Sequence, residues 1–406
     1  MAFKPYMTSE DLIASIKRKI SFPVSSSTFT EQEILQMASE EMAISSVPSI
    51  LEFHEEYFVH PITVALEANK TRYEIPDRAI GMKLRDIKLV DSAGNLGDLV
   101  KVSSSDKAHW QDSSSNNASM CYYLEGNDIV FTSSMSDPTG SIIFYIYLRP
   151  NQLVLNERAC IATNFVKTLT LASVVAGNTV VIDGTTLTAV SGSPAAAQFQ
   201  IGASDTATAA NLATAINTAS LGTATSTSTV VSVRYSDLST TFTASATITV
   251  QTTQGIEFDQ VPSTWLDPDT NVTSALFVDG SEIDFLQTKP GHRTRGFDIT
   301  IPTGGISGTI INFTDDDVPS TFLVGDYICM SHECIIPQIP PDLHNVLAER
   351  TGARMLASIG DQAGLQNSML KLQEIDQRQN VLLDNRSESN PTKLIGRKSL
   401  LRSRRF

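Results

Sequence analysis

The sequence has few of the residues that cross-link small secreted domains or carry a chain across a membrane. Only four cysteines occur among 406 residues, too few for a disulfide framework, which favours folding in a reducing cytosol. No apolar run approaches the roughly 20 residues needed to span a bilayer. The first residues, Met-Ala-Phe-Lys-Pro-Tyr, lack the apolar core of a signal peptide. These absences predict a chain that is made in the cytoplasm and does not associate with a membrane.

Motifs of the common enzyme classes are also absent from the sequence. There is no Gly-x-Ser-x-Gly elbow, phosphate-binding loop or dinucleotide fingerprint. His54 and His60 are six positions apart, whereas a helical zinc site needs histidines four apart. Cys329, His332 and Cys334 are close in sequence, but a fourth ligand would have to come from elsewhere, so buried thiols are the favoured interpretation. We expect no enzyme activity, no cofactor and no bound metal; a metal-dependent hydrolase is the alternative.

Basic charge is scarce everywhere except at the C-terminal end. The chain has 30 Lys and Arg against 44 Asp and Glu, a formal net charge of −14. The last sixteen residues, 391–406, form a basic arm with six Lys and Arg and no acidic residue. The body without this arm has a net charge of about −20, which would repel a phosphate backbone. The arm alone is suited to contact DNA or an acidic groove on a protein partner.

The N-terminal segment has the signals of helices. Thr30 and Glu33 form a capping box ahead of an apolar stripe at helical spacing. Pro48 is expected to kink or restart this helix, since proline lacks the backbone donor that a helix interior requires.

The C-terminal segment also predicts two helices. Asp342 follows two prolines and is expected to cap the first of them. Gly360 predicts the end of that helix, and Asp361 the cap of the next. Apolar residues then recur at helical spacing, so one buried face is expected to include Leu365, Met369, Leu372 and Ile375.

Strand patterns occupy the middle of the chain. The alternation over Met82–Leu89 slips by one position, which predicts a β-bulge. Residues 142–148 are apolar throughout, which is typical of a central strand covered on both faces.

Residues 164–256 differ in composition from their surroundings. Thr, Ser and Ala dominate, and the residues charged between positions 168 and 252 are Asp183, Asp205, Arg234 and Asp237. Asp183-Gly184 between alternating strands predicts a hairpin, and Asp205 is expected to cap a short Ala-rich helix. Turn chemistry and alternation together indicate a small inserted β-module rather than a flexible linker.

These patterns predict an α+β protein of four parts. Residues 1–58 and 336–390 are expected to form a helical domain, and residues 59–163 and 257–335 a central antiparallel β-domain. Residues 164–256 are the inserted Thr-, Ser- and Ala-rich β-module, and residues 391–406 are the basic C-terminal arm.

Four stretches outside the inserted module carry a resemblance to a known family. Three of them are Tyr-Glu-Ile-Pro-Asp-Arg-Ala-Ile-Gly-Met-Lys-Leu-Arg-Asp-Ile (73–87), Tyr-Leu-Arg-Pro-Asn-Gln-Leu-Val (147–154) and Cys-Ile-Ile-Pro-Gln-Ile-Pro-Pro-Asp-Leu-His (334–344). The last is soon followed by Ala-Glu-Arg-Thr-Gly-Ala-Arg-Met-Leu-Ala-Ser-Ile-Gly-Asp (348–361). These stretches resemble the head-to-tail adaptor (connector or neck) proteins of tailed bacteriophages, and the inserted module is similar to one found in many phage virion proteins.

This resemblance implies a structural virion protein, made in the host cytoplasm and placed in the neck between capsid and tail. It implies a helical adaptor bundle and a homo-oligomeric ring, expected to be twelve-fold, beneath the portal protein. Tail or nozzle proteins are then its other partners, and double-stranded DNA passes through the ring without sequence recognition. The arm would dock on the portal through Arg397, Lys398, Arg402, Arg404, Arg405 and Phe406.

A second structural role is the main alternative. A tail, baseplate, fibre or capsid-decoration protein could use the Thr-rich module as an adhesive β-domain. Fibres favour long repeats, which this chain lacks, whereas terminal helices suit packing in a ring.

Overall fold

The structure is a computed structural model that describes residues 6–21, 29–91, 93–106, 121–132, 140–260, 265–266, 273–274, 276–288, 293–314 and 316–382. The protein is mixed α+β, and strands outnumber helices, which confirms the α+β part of the prediction. The helices are α1 Ser9–Lys19, α2 Glu31–Glu41, α3 Val47–Phe53, α4 Asp205–Thr218, α5 His344–Ile359 and α6 Gln362–Leu382.

The chain divides into two compact units. The larger unit is Met1–Ala43 with Pro150–Leu372, and the smaller unit is Ile44–Arg149 with Gln373–Phe406. The two segments predicted to form one β-domain therefore fall mostly in different units, with residues 257–335 in the larger and most of 59–163 in the smaller.

Capping boxes start both N-terminal helices. The Glu33 amide donates to Thr30 Oγ1 at 3.2 Å, and the Thr30 amide donates to Glu33 Oε2 at 2.8 Å, which confirms the predicted box. Thr8 and Asp11 form an equivalent box at the start of α1. Each box satisfies backbone donors that the first turn leaves without partners, a contribution of about 1 kcal/mol.

A π-helical turn, Met42–Ser46, precedes α3. Pro48 lies in the first turn of α3, where its missing N–H costs no helical hydrogen bond. The wider turn before it avoids the clash that a continuous α-helix would meet at the proline ring, so the predicted restart at Pro48 is confirmed.

The smaller unit contains two four-stranded sheets, in the orders β1-β8-β3-β4 and β2-β7-β6-β5. The pairing of β3 with β8 shifts register on both sides of Leu84, so the predicted bulge is confirmed. Strand β8 is central, as predicted, but its first half alternates between buried and half-buried residues, so coverage of both faces was wrong there. The strands are β1 Val59–Ala65, β2 Arg72–Glu74, β3 Ala79–Val90, β4 Leu96–Asp98, β5 Val100–Lys101, β6 Cys121–Glu125, β7 Asp128–Phe131 and β8 Ser141–Leu148.

The larger unit is built on a ten-stranded sheet with the long strand β10 near its centre. The main path of the sheet is β22-β21-β25-β10-β18-β24-β23, and β14, β15 and β17 join through β10 and β15. The strands of this unit are β9 Gln152–Leu153, β10 Cys160–Leu171, β11 Thr179–Ile182, β12 Thr185–Val190, β13 Gln198–Gln200, β14 Thr223–Thr227, β15 Val230–Tyr235, β16 Phe242–Ala244, β17 Ile248–Val250, β18 Gln254–Phe258, β19 Trp265–Leu266, β20 Thr273–Ser274, β21 Glu282–Leu286, β22 Thr294–Thr300, β23 Ile306–Ser307, β24 Ile310–Phe313, β25 Tyr327–Met330 and β26 Glu333–Cys334.

The Thr-rich segment has its own hydrophobic core. Sixteen buried residues between Leu169 and Ile248 pack together, among them Leu212 and Ile216 of α4. A second core gathers residues on both sides of this segment, and Phe242 packs against both cores. The predicted bounds 164 and 256 fall inside β10 and β18, which continue from one core to the other.

Of two local predictions in the Thr-rich segment, the hairpin is confirmed and the helix cap was wrong by one residue. Asp183 and Gly184 have φ of 46° and 74° between the paired strands β11 and β12, which confirms the hairpin and its primed turn. The cap of α4 was placed one residue too late, because Ser204 accepts the hydrogen bond from the Ala207 amide. Asp205 instead accepts a hydrogen bond from the Ser173 amide at 3.0 Å.

Candidate functional site

Two stretches that carry the resemblance meet in the larger unit. Strand β9 pairs in parallel with β26, so the Gln152 amide donates to the His332 carbonyl at 2.8 Å. The Val154 amide likewise donates to the Cys334 carbonyl at 2.9 Å. The Asn151 amide donates to Gln338 Oε1 at 2.7 Å. Residues 150–154 and 333–344, here called the junction, thus form a continuous link from the ten-stranded sheet to the start of α5.

A buried carboxylate holds the junction against the sheet. Asp284 of β21 is fully buried, and its Oδ2 accepts hydrogen bonds from Asn151 Nδ2 at 2.7 Å and from the His332 amide at 3.1 Å. Its Oδ1 accepts from the Asp298 amide at 3.2 Å. His332 and Asp298 have left-handed backbones, with φ of 67° and 50°, which cost about 1–2 kcal/mol for residues with a Cβ. The hydrogen bonds to the carboxylate therefore compensate strain on both sides of Asp284.

The N-terminal helices attach to the same junction. The Ser9 amide and hydroxyl both donate to the Ile335 carbonyl, at 2.8 and 3.1 Å. The Leu153 amide donates to Ser39 Oγ of α2 at 2.9 Å. The Met7 amide donates to His344 Nδ1 at 3.0 Å. Helices α1, α2 and α5 with the first part of α6, here called the helix cluster, are thus fixed to the sheet at defined points.

Glu349 of α5 connects three helices in the cluster. Its nearly buried carboxylate contacts Lys19 Nζ at 3.0 Å and accepts a hydrogen bond from Ser368 Oγ at 3.2 Å. Lys371 Nζ lies 3.9 Å away. A carboxylate in this setting is stabilised by nearby cations and a hydroxyl, so α1 and α6 are held to α5 through one side chain.

The outer face of α6 differs from the prediction. Leu365, Ser368 and Leu372 form its inward side, whereas Met369 is 51% exposed and belongs to the outer face. Its neighbour Leu370 is 66% exposed. The prediction that Met369 is buried was wrong because the polar residue Ser368 occupies the buried position, where its hydroxyl donates a hydrogen bond to Glu349.

The start of α5 also differs from the prediction, whereas its end agrees. A 3-10 turn, Pro341–Leu343, leads into the helix, and Asp342 makes no side-chain cap. Gly360 ends α5 with a φ of 82°, and the Gly364 amide donates to Asp361 Oδ1 at 3.0 Å. Both predictions at the α5–α6 turn are confirmed.

The four cysteine thiols are buried and form no disulfide bond. Burial raises the pKa of Cys160 to about 12, and it also raises the pKa of Cys121, Cys329 and Cys334. His332 lies at the surface between the two buried thiols of its segment. Over the described part of the chain, no three His, Cys, Asp or Glu side chains form a group that could hold a metal ion.

The two candidate histidines belong to the smaller unit. His54 is buried at the end of α3 and His60 is half-buried in β1. The predicted docking residues Arg397, Lys398, Arg402, Arg404, Arg405 and Phe406 lie outside the described residues.

Sequence patterns did not point to Asp284 or Glu349. Alternation along β21 would place Asp284 on the face opposite Ile283 and Phe285, and an exposed carboxylate is the ordinary expectation there. Four consecutive residues of this strand are buried because the junction covers its second face. An acid within a strand otherwise rich in large apolar residues was the one available signal.

Comparison of the chain with models of known protein families and with curated protein sequences finds no match. None of the helices in the described ranges combines the length and the apolar character that a membrane crossing requires.

Proposed function

We propose that this chain is a structural virion protein that joins a phage portal to the tail as an oligomeric ring around the DNA channel. The observation that carries the proposal is the junction, where two of the stretches resembling adaptors, far apart in sequence, are hydrogen-bonded to each other. These stretches therefore act together, as the attachment of a helix cluster to a β-sheet. That arrangement supports a helical adaptor domain presented by a β-scaffold.

Charge supports the same role. A body with a net charge of about −20 lining a channel repels passing DNA and prevents adhesion, whereas the basic arm has the charge to bind an acidic surface. Fixing residues 391–406 on a partner costs conformational entropy, so several charge-assisted contacts and burial of Phe406 would be needed to offset it. The portal protein is the proposed partner of residues 391–406.

Native mass spectrometry of the chain alone and mixed with the portal protein of the same genome tests the proposal. The expected result is a ring-sized assembly on the portal that is lost when residues 391–406 are deleted. Replacement of the five basic docking residues by Gln and of Phe406 by Ala in the full-length chain is the matched variant, because it preserves chain length. Undiminished portal binding by both variants would contradict the role of the arm.

The alternative, an adhesive virion protein of the tail, baseplate, fibre or capsid surface, is favoured by one observation. The Thr-rich segment has a separate core and a groove of about 480 Å³ between α4 and residues 194–200. A chain that stays monomeric or trimeric and does not bind the portal would favour this alternative.

A further inference from the structure

The first half of α6 carries an uncharged outer stripe. Gln362, Ala363, Gln366, Met369 and Leu370 are all exposed and recur at helical spacing, so they share one side of the helix. Its two large apolar members, Met369 and Leu370, are adjacent at the C-terminal end of the stripe. The opposite side of α6 already packs on the helix cluster through Leu365, Ser368 and Leu372. The helix thus has a second face suited to a helix or groove of a partner.

A groove between α1 and the start of α2 offers a surface of matching character. It has a volume of about 530 Å³, and its lining includes Ile13, Ala14 and the aliphatic stem of Lys17. Glu10 and Glu31 contribute two negative charges to the lining, and Lys17 and Arg18 two positive charges. Lys17 Nζ contacts Glu31 Oε1 at 2.8 Å, so part of this charge is already paired. The described residues of the lining are formally neutral together, in a strongly acidic chain.

We infer that the α6 stripe of one copy docks in the α1 groove of the next copy, so that these two surfaces form the contact between neighbours in the assembly. This inference rests on the proposed ring and names the surfaces that would build it.

Charge favours a second copy of the chain as the partner. Two chains of net charge −14 repel each other, and they approach most easily where neither surface carries net charge. The stripe has no charged residue, and the groove balances two acids with two bases. Neither patch carries the negative charge that would attract a basic partner. Neither carries the excess of positive charge that would attract nucleic acid.

The symmetry of the contact also follows from the two surfaces. They are different patches of one chain, so their contact is head-to-tail and can close into a ring. A stripe packed on the same stripe of another copy would link only two chains. Salt is expected to strengthen the assembly, because it screens the repulsion between acidic bodies more than it weakens a neutral contact.

Cysteine cross-linking tests the contact in the full-length protein, with and without portal protein. Ala14→Cys and Leu370→Cys place one exposed thiol on each surface, and the four native thiols are buried. A short bifunctional thiol reagent is expected to link the two variants only when they are mixed. The double variant should give a ladder of oligomers.

Leu370→Asp is expected to weaken assembly by about 30-fold or more, the loss typical of a central apolar contact. Val175→Asp is the matched control, because Val175 is 58% exposed on the Thr-rich segment and should assemble normally. Cross-linking between copies of the Leu370→Cys variant, without the Ala14→Cys variant present, would contradict the head-to-tail contact and indicate a symmetric one. A ring that forms normally with Leu370→Asp would refute the inference but leave the proposed function intact, whereas no ring with any variant or with the native chain would refute both.

Discussion

Replacing Asp284 is expected to destabilise the larger unit more than any substitution of an exposed acid. In Asp284→Ala, the Asn151 side-chain amide and the His332 and Asp298 backbone amides lose a buried acceptor. Each buried donor without a partner costs about 1–3 kcal/mol. The Asn151 hydrogen bond is buried, whereas those from the His332 and Asp298 amides are only part-buried, so the free energy of unfolding should fall by about 2–4 kcal/mol.

Asp284→Asn removes the negative charge but keeps the shape of the side chain. Its amide oxygen can replace Oδ2 and keep two hydrogen bonds, but its NH₂ group then faces the Asp298 amide, a second donor. The expected loss is about 1–3 kcal/mol, from one opposed donor and from the weaker acceptor.

Urea unfolding followed by circular dichroism measures both losses, and amide hydrogen exchange in β21 and β25 places them in the sheet. Asp279→Ala is the control, since Asp279 is exposed and accepts from the Gly304 amide at 2.7 Å. It should cost less than about 1 kcal/mol. If Asp284→Ala costs no more than this control, the buried carboxylate does not hold the junction and the reasoning fails.

Three further outcomes are expected. Replacing residues 168–253 by Asn-Gly should leave a chain that melts cooperatively, because β10 and β18 pair up to that point and Tyr235 is the one buried residue lost from the core outside the Thr-rich segment. Deleting residues 164–256 should abolish cooperative melting, since it also removes Phe165 and Ile256 from that core. Hydrogen bonding to Arg234 lowers the pKa of Glu257, so this pair stabilises the fold above the unfolded-state pKa and the effect is lost as pH falls through the lower folded value. The stability difference between the native chain and Glu257→Gln should therefore shrink from pH 7 toward pH 3 in thermal melts. Iodoacetamide should label none of the four thiols at pH 8 until denaturant unfolds the chain, and labelling of the folded chain would contradict their burial.

Predictions that rest on adjacent residues agree well with the structure. The Thr30–Glu33 box, the Asp183-Gly184 turn and the Gly360 terminator each depend on a few neighbouring backbone groups, so a short window of sequence contains all that decides them. The bulge in β3 belongs to the same class, because a slip in alternation is visible within one strand.

Predictions that assigned the buried face of a helix or strand, or the boundary of a segment, were less accurate. Met369 was placed on the buried side of α6, but Ser368 occupies that side because Glu349, nineteen residues earlier, supplies its partner. Asp284 was not recognised because the segment that buries its face is distant in the chain. The bounds of the Thr-rich segment were drawn where the composition changes, whereas β10 continues across that point.

The sequence by itself determined the local structure and charge of this protein: where its helices are capped, where its hairpins turn, the acidity of its body and the basic arm at its end. These follow from interactions between neighbouring residues or from composition. Only the tertiary structure decided which polar groups are buried, that residues 150–154 meet residues 333–344, and which face of α6 stays exposed. The pairing at the junction joins segments about 180 residues apart, and the buried side of α6 depends on a residue of another helix. No local pattern records which other segment will cover a given face.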